Sequence, residues 1–170
     1  MVSVPSELSR RQQRQYITEG AAAEDALSSL PPEVVREIRT AWTESAAAPG
    51  DFAADLYAHL FVLEPSAAML FPGDISQQRQ RLTRTLTEGL ALLERPKELI
   101  LLLKASGVRH LHYHTNFRHF PLLGAALDRT FSDRLGDGFT ADRQQAWRSF
   151  YSHMAAVMCG SMATALLQRA

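Results

Sequence analysis

Apolar residues recur at helical spacing through most of this chain, and no stretch of any length alternates as a β-strand would. Six segments carry such a stripe. Two of the clearest are the first and the third, which are formed by Val34, Ile38, Ala41 and Trp42 and by Leu82, Leu86, Leu90 and Leu93. The pattern predicts an all-α domain of about six helices.

Prolines and turn residues set the ends of these predicted helices. Turns rich in Pro, Gly and Asp at 49–51, 71–74 and 136–138 separate the segments. Pro65 ends or bends the second helix, and Thr140 is the expected N-cap of the last one.

Residues 1–30 have a different composition, rich in Arg, Gln, Ala, Glu and Ser and poor in large apolar residues. We expect an N-terminal extension there, with a short amphipathic helix around Leu8 to Tyr16, then a linker, and partial disorder. Residues 31–170 would form the domain itself.

Composition excludes several classes of protein. Lys plus Arg and Asp plus Glu both number 18, so the basic excess of a nucleic-acid binder is absent. Cys159 is the only cysteine, which rules out an intrachain disulfide and a thiolate metal cage. The apolar run 99–103 is too short to span a bilayer, and no secretory signal is evident. We therefore expect a cytoplasmic protein.

Histidine is the most informative residue type, because four of the six lie at 110, 112, 114 and 119. A zinc site would lack cysteine and carboxylate partners, and a di-iron site would lack Glu-x-x-His pairs. We expect His112, His114 and His119 to lie on a solvated face.

His110 differs from the other histidines, because it ends a leucine-rich helical segment after the weak turn at 105–107. An imidazole that projects from an apolar helix face can ligate a haem iron on its proximal side. Its other nitrogen would then bond to the Ser106 carbonyl four residues back. On spacing alone, a core histidine with satisfied hydrogen bonds fits equally well.

A family resemblance favours the haem interpretation. Trp42, then the run from Gly50 to Phe61, Pro65 and Leu70-Phe71, resembles the opening helices of bacterial globins, the single-domain haemoglobins and the haem module of flavohaemoglobins. His110 and the later segment 120–127 resemble that family's proximal histidine and following helix. The resemblance covers about residues 30–167. It implies a globin fold of about six to eight helices around one haem b.

The resemblance also assigns the other haem-pocket positions. His110 would be the proximal iron ligand, Tyr57 the distal tyrosine, Phe71 the residue against the porphyrin edge, Gln78 the distal polar residue and Leu82 the cap of the pocket. Gln77 and Gln80 remain alternatives to Gln78.

Each of these residues also has an ordinary explanation. Tyr57, Phe71 and Leu82 could fill the core of any helical fold, and the glutamines could lie on a solvated helix face. Their joint arrangement favours function, because a hydroxyl and an amide facing a dry pocket would stabilise a polar diatomic ligand.

The resemblance places two further polar residues on the proximal side that this chain lacks. In flavohaemoglobins a tyrosine and a glutamate form a relay to the proximal histidine, but here the corresponding positions are Phe120 and Met162. The ring would then stay a neutral imidazole bonded to a backbone carbonyl.

We expect reversible binding of O2, NO or CO, for storage, transport or sensing. The alternatives are a nitric oxide dioxygenase or peroxidase-type enzyme, and a globin signalling module that transmits haem occupancy or has lost haem. We expect no reductase domain after the last helix, in which case a dioxygenase would need a separate reductase. The oligomeric state, monomer or homodimer, is left open.

Overall fold

The protein is described by a computed structural model covering residues 8–71, 73–113 and 115–169, with seven α-helices and three short 3-10 helices in that part of the chain. The α-helices are α1 (Arg10–Ser28), α2 (Pro32–Ala47), α3 (Phe52–Leu63), α4 (Ser76–Ala91), α5 (Pro96–His110), α6 (His119–Leu135) and α7 (Ala141–Leu167). The 3-10 helices are Pro65–Leu70, Leu111–Tyr113 and Gly136–Gly138. The described residues contain no strand, which confirms the all-α prediction.

The predicted helix ends agree with the structure to within a few residues. Pro32 and Pro96 each occupy the first turn of a helix, where the missing N–H costs nothing. Pro65 ends α3 and begins a 3-10 helix, and the Thr140 hydroxyl accepts the Arg143 N–H as the N-cap of α7.

The N-terminal segment is more ordered and better packed than its composition predicted. Residues 10–28, expected to be a short helix and then a linker, form the single helix α1, and a Ser9–Gln12 capping box fixes its start. Ala23 and Leu27 are buried in the main core. The linker prediction was wrong for these residues, because their small alanine and glycine side chains let α1 pack closely against α7. Residues 1–7 lie outside the described part of the chain.

Helix α7 lies at the centre of the fold and packs against α1, α2, α5 and α6. It is long and apolar enough to cross a membrane by length and composition, which the run 99–103 did not reveal. A helix buried in a protein core meets the same criterion, and the four neighbouring helices account for the apolar composition of α7. Trp147 on α7 donates from its indole N–H to the Ile38 carbonyl at 3.1 Å and packs on Phe131.

A buried arginine ties α6 to the junction of α2 and α3. The side chain of Arg134 is 5% exposed and pairs with Asp55. It also donates to the carbonyls of Ser45 (3.0 Å) and Ala48 (2.8 Å), which are carbonyls at the end of α2. These bonds fix the corner from which α3 departs.

Arg134→Met should therefore lower the free energy of unfolding by about 2–4 kcal/mol, because it leaves carbonyls and a carboxylate without their donor. Urea denaturation measures the change. Arg39→Met is the matched control, since Arg39 pairs with the exposed Glu94 and should contribute about 1 kcal/mol or less. Equal losses in the two variants would contradict this account.

Candidate functional site: a histidine pocket

His110 is the last residue of α5, a helix whose buried face is formed by Leu99, Ile100, Leu103, Ser106 and Gly107. The region 105–107, interpreted from sequence as a weak turn, is continuous helix. His110 itself is half-buried at the end of that face. The helix thus carries an imidazole to the edge of the core.

A hydrogen bond fixes the tautomer of His110. Its Nδ1 lies 2.7 Å from the Ser106 carbonyl oxygen, as the sequence predicted. A carbonyl only accepts, so Nδ1 carries the proton and Nε2 carries the lone pair. Burial lowers the pKa of His110 and outweighs the Ser106 carbonyl, which raises it. The ring is therefore a neutral imidazole whose Nε2 can ligate a metal.

Apolar side chains, Phe120 and Met162, occupy the two positions at which the resemblance to flavohaemoglobins would place a tyrosine–glutamate relay. The ring centroids of Phe120 and His110 are 5.9 Å apart, and Phe120 is 6% exposed. Met162 is fully buried in a small apolar cluster with Phe120 and Cys159. The buried Tyr151 hydroxyl donates to the Phe120 carbonyl at 2.7 Å, so it holds the backbone of α6 rather than the imidazole.

Tyr57 and Gln78 come together from different helices. Tyr57, on α3, is 5% exposed, and Gln78, on α4, lies close enough to its hydroxyl to lower its pKa. Burial raises the pKa of Tyr57 more than Gln78 lowers it, so the hydroxyl keeps its proton. Gln77 and Gln80 are exposed whereas Gln78 is half-buried, which makes Gln78 the glutamine that faces the interior.

Phe71 lies in the same region as Tyr57, and Leu82 lies on α4 one turn after Gln78. The Phe71 ring meets Tyr57 edge-on, with centroids 5.1 Å apart, and lies 6.1 Å from Phe61. Phe71 and Leu82 are half-buried against the main core. The structure thus joins Tyr57, Phe71 and Gln78 in one group, while His110 is held on α5 beside Ser106 and Phe120.

The other histidines follow the prediction only in part. His112 is exposed, as expected. His119 is half-buried, and its Nδ1 accepts the Asn116 N–H at 3.3 Å, so that side chain supports the start of α6 instead of facing solvent. His114 lies outside the described residues. Among the described residues no three His, Cys, Asp or Glu side chains form a metal cluster.

The residues present fit a haem by their donor chemistry. The neutral imidazole of His110 has the chemistry of an iron ligand, and half-buried aromatic and aliphatic side chains offer an apolar surface for a flat macrocycle. The apolar members on α3, α4 and the segment between them are Phe61, Leu63, Phe71, Ile75, Leu82 and Leu86.

Comparison with known proteins decides the family. The sequence profile of the globin family matches residues 54–158. This chain belongs to the globin family. Membership implies a haem cofactor, and globins bind diatomic gases.

A solved structure supports the globin fold. A crystal structure of a hexacoordinated heme protein from an anhydrobiotic tardigrade, determined at pH 4, superimposes with a TM-score of 0.71. It is 14% identical, and the match covers 79% of this chain and 96% of that one. No curated protein matches the sequence.

Sequence reasoning missed Gly107, which controls where α5 lies. A Cβ on Gly107 would stand 2.4 Å from the Met158 carbonyl oxygen of α7 and even closer to the Ser161 hydroxyl. Only glycine permits this contact one turn before His110. The signal in the sequence is a glycine inside a leucine-rich helical pattern.

We expect Gly107→Ala to destabilise the globin by about 1–3 kcal/mol, because the backbone of α7 cannot yield as a side chain can. Gly89→Ala is the matched control in another helix, where the new Cβ would meet only Leu99 at 3.9 Å. That change should be neutral or stabilising by up to about 1 kcal/mol. Urea unfolding of both variants tests the contrast, and a neutral Gly107→Ala would refute it.

Proposed function

We propose that this globin binds one b-type haem through Nε2 of His110 and reversibly takes up O2, NO or CO. The bond from Nδ1 of His110 to the Ser106 carbonyl supports the proposal most, because it orients the ring and makes Nε2 the ligating atom. When bound, the haem supplies an iron with a coordination position for the gas.

Tyr57 and Gln78 would act on the distal side of that haem. The buried Tyr57 hydroxyl stays protonated, and the Gln78 amide is a second donor in the same group. A hydrogen bond to a polar ligand is stronger in such a dry environment than in water. Phe71 and Leu82 would cover the macrocycle and exclude water. The resemblance to flavohaemoglobins and a cytoplasmic location belong to the same proposal.

His110→Ala should abolish the normal Soret band and the five-coordinate ferrous spectrum, because it removes the proximal ligand. His112→Ala is the control, since that side chain is exposed. Absorption spectra of the ferric, ferrous and CO forms give the answer. A variant His110→Ala with unchanged spectra would exclude this ligand, and His112 would be the next candidate.

Tyr57→Phe should release O2 about 5- to 150-fold faster, which corresponds to the loss of a hydrogen bond worth about 1–3 kcal/mol. CO is less polar when bound, so its release should change much less. Stopped-flow measurement of both gases separates the hydrogen bond from a change of packing. Equal O2 release in wild type and variant would remove Tyr57 from the site.

Ligand storage or sensing is favoured over an enzymatic role by the apolar proximal side. Phe120 and Met162 cannot withdraw the His110 proton, so the imidazole lacks the anionic character that assists O–O cleavage. A nitric oxide dioxygenase or peroxidase working with a separate reductase is the second candidate.

Installing Phe120→Tyr together with Met162→Glu tests this choice. The iron–histidine stretch in resonance Raman should move to higher frequency, and peroxidase turnover should rise above that of the wild type. Phe120→Leu with Met162→Leu controls for repacking. A wild type that already shows a strong, imidazolate-like bond would favour the enzyme.

A further inference from the structure

Helix α7 is held between α1 and α5, and its contact with α5 lies one turn before His110. A Cβ on Gly20 of α1 would stand 3.1 Å from both Gly160 Cα and the Ala156 carbonyl oxygen. On the other side, Gly107 of α5 contacts Met158 and Ser161 through its backbone. Residues 156–161 of α7 therefore contact the backbones of both α1 and α5.

Two side chains of α1 contact the segment that carries His110. Glu24 pairs with Lys104 of α5, with Nζ 2.7 Å from one carboxylate oxygen and 2.8 Å from the other. Tyr16 stacks on Phe117 with ring centroids 4.4 Å apart and an interplanar angle of 25°. Helix α1 thus contacts this segment both before His110, at Lys104, and after it, at Phe117.

Between Lys104 and Phe117 the described backbone passes from α5 through a 3-10 turn into the connection before α6. Helix α5 ends at His110, a single 3-10 turn follows at Leu111–Tyr113, and α6 begins only at His119. Helix ends and connecting segments are where local opening costs least. A cavity of about 780 Å³ also opens beside it between α1, α6 and α7, with Tyr16, Phe117 and Phe120 in its lining.

We propose that α1 is a brace that positions His110, with Tyr16 and Glu24 as its positioning residues. The inference rests on the proposed function, since its consequence is a fixed geometry between the imidazole and the haem iron. With the brace intact, the ring keeps one orientation, and without it the segment 104–118 opens more often and the ring samples several.

The test compares variants of the haem-loaded protein. Tyr16→Leu removes the stack on Phe117, and Glu24→Lys places a second lysine beside Lys104. The double variant therefore loses both contacts. Amide exchange in 104–118 should then accelerate about tenfold, and the iron–histidine stretch should broaden and move to lower frequency. Far-UV circular dichroism checks that α1 and the other helices remain folded.

Three controls separate bracing from general destabilisation. Tyr16→Phe keeps the stack and should behave as wild type. Glu24→Lys combined with Lys104→Glu restores the ion pair and should restore slow exchange. Glu94→Lys breaks the exposed pair with Arg39 of α2, which does not involve α1, and should change neither readout.

The outcomes distinguish the inference from the proposed function. If haem binds through His110 but the double variant matches wild type in exchange and in the stretch, the brace is refuted and the proposed function stands. If no haem binds through His110, the proposed function fails, and amide exchange of the same segment still supports or overturns the brace. Equal acceleration in Glu94→Lys would also overturn it.

Discussion

The contact between Gly107 and the backbone of α7 is the constraint on which the histidine pocket depends. It lets α5 lie directly on the central helix. The position of that contact along α5 sets where His110 lies, one turn later. Helix α7 in turn is fixed by α1, α2 and α6, so the position of one imidazole depends on the packing of the whole domain.

The chemistry of the site follows from burial more than from charge. The Ser106 carbonyl holds the Nδ1 proton, burial keeps the ring neutral, and Phe120 packs near the imidazole in the apolar cluster that contains Met162. Burial likewise keeps Tyr57 protonated beside Gln78. In the proposed site the imidazole would offer a lone pair to the iron, and Tyr57 and Gln78 would offer donors to a polar diatomic ligand.

The sequence predicted most helices well, because prolines and apolar stripes act locally. It also predicted the Ser106 contact, since a carbonyl four residues back is within reach in any helix. It failed for α1. Gly20 and Ala23 are residue types common in linkers, and their close packing in the folded protein is not visible in the sequence. It likewise misjudged Gly107 and His119, because close approach and partial burial depend on residues distant in sequence.

The most direct test of the central claim is proton NMR of the ferric, cyanide-bound protein with 15N-labelled histidine. Our account predicts one hyperfine-shifted Nδ1–H from His110, slow to exchange because it bonds to the Ser106 carbonyl, with Nε2 on the iron. A shifted resonance assigned to another histidine, or a His110 ring bound without an Nδ1 proton, would contradict it.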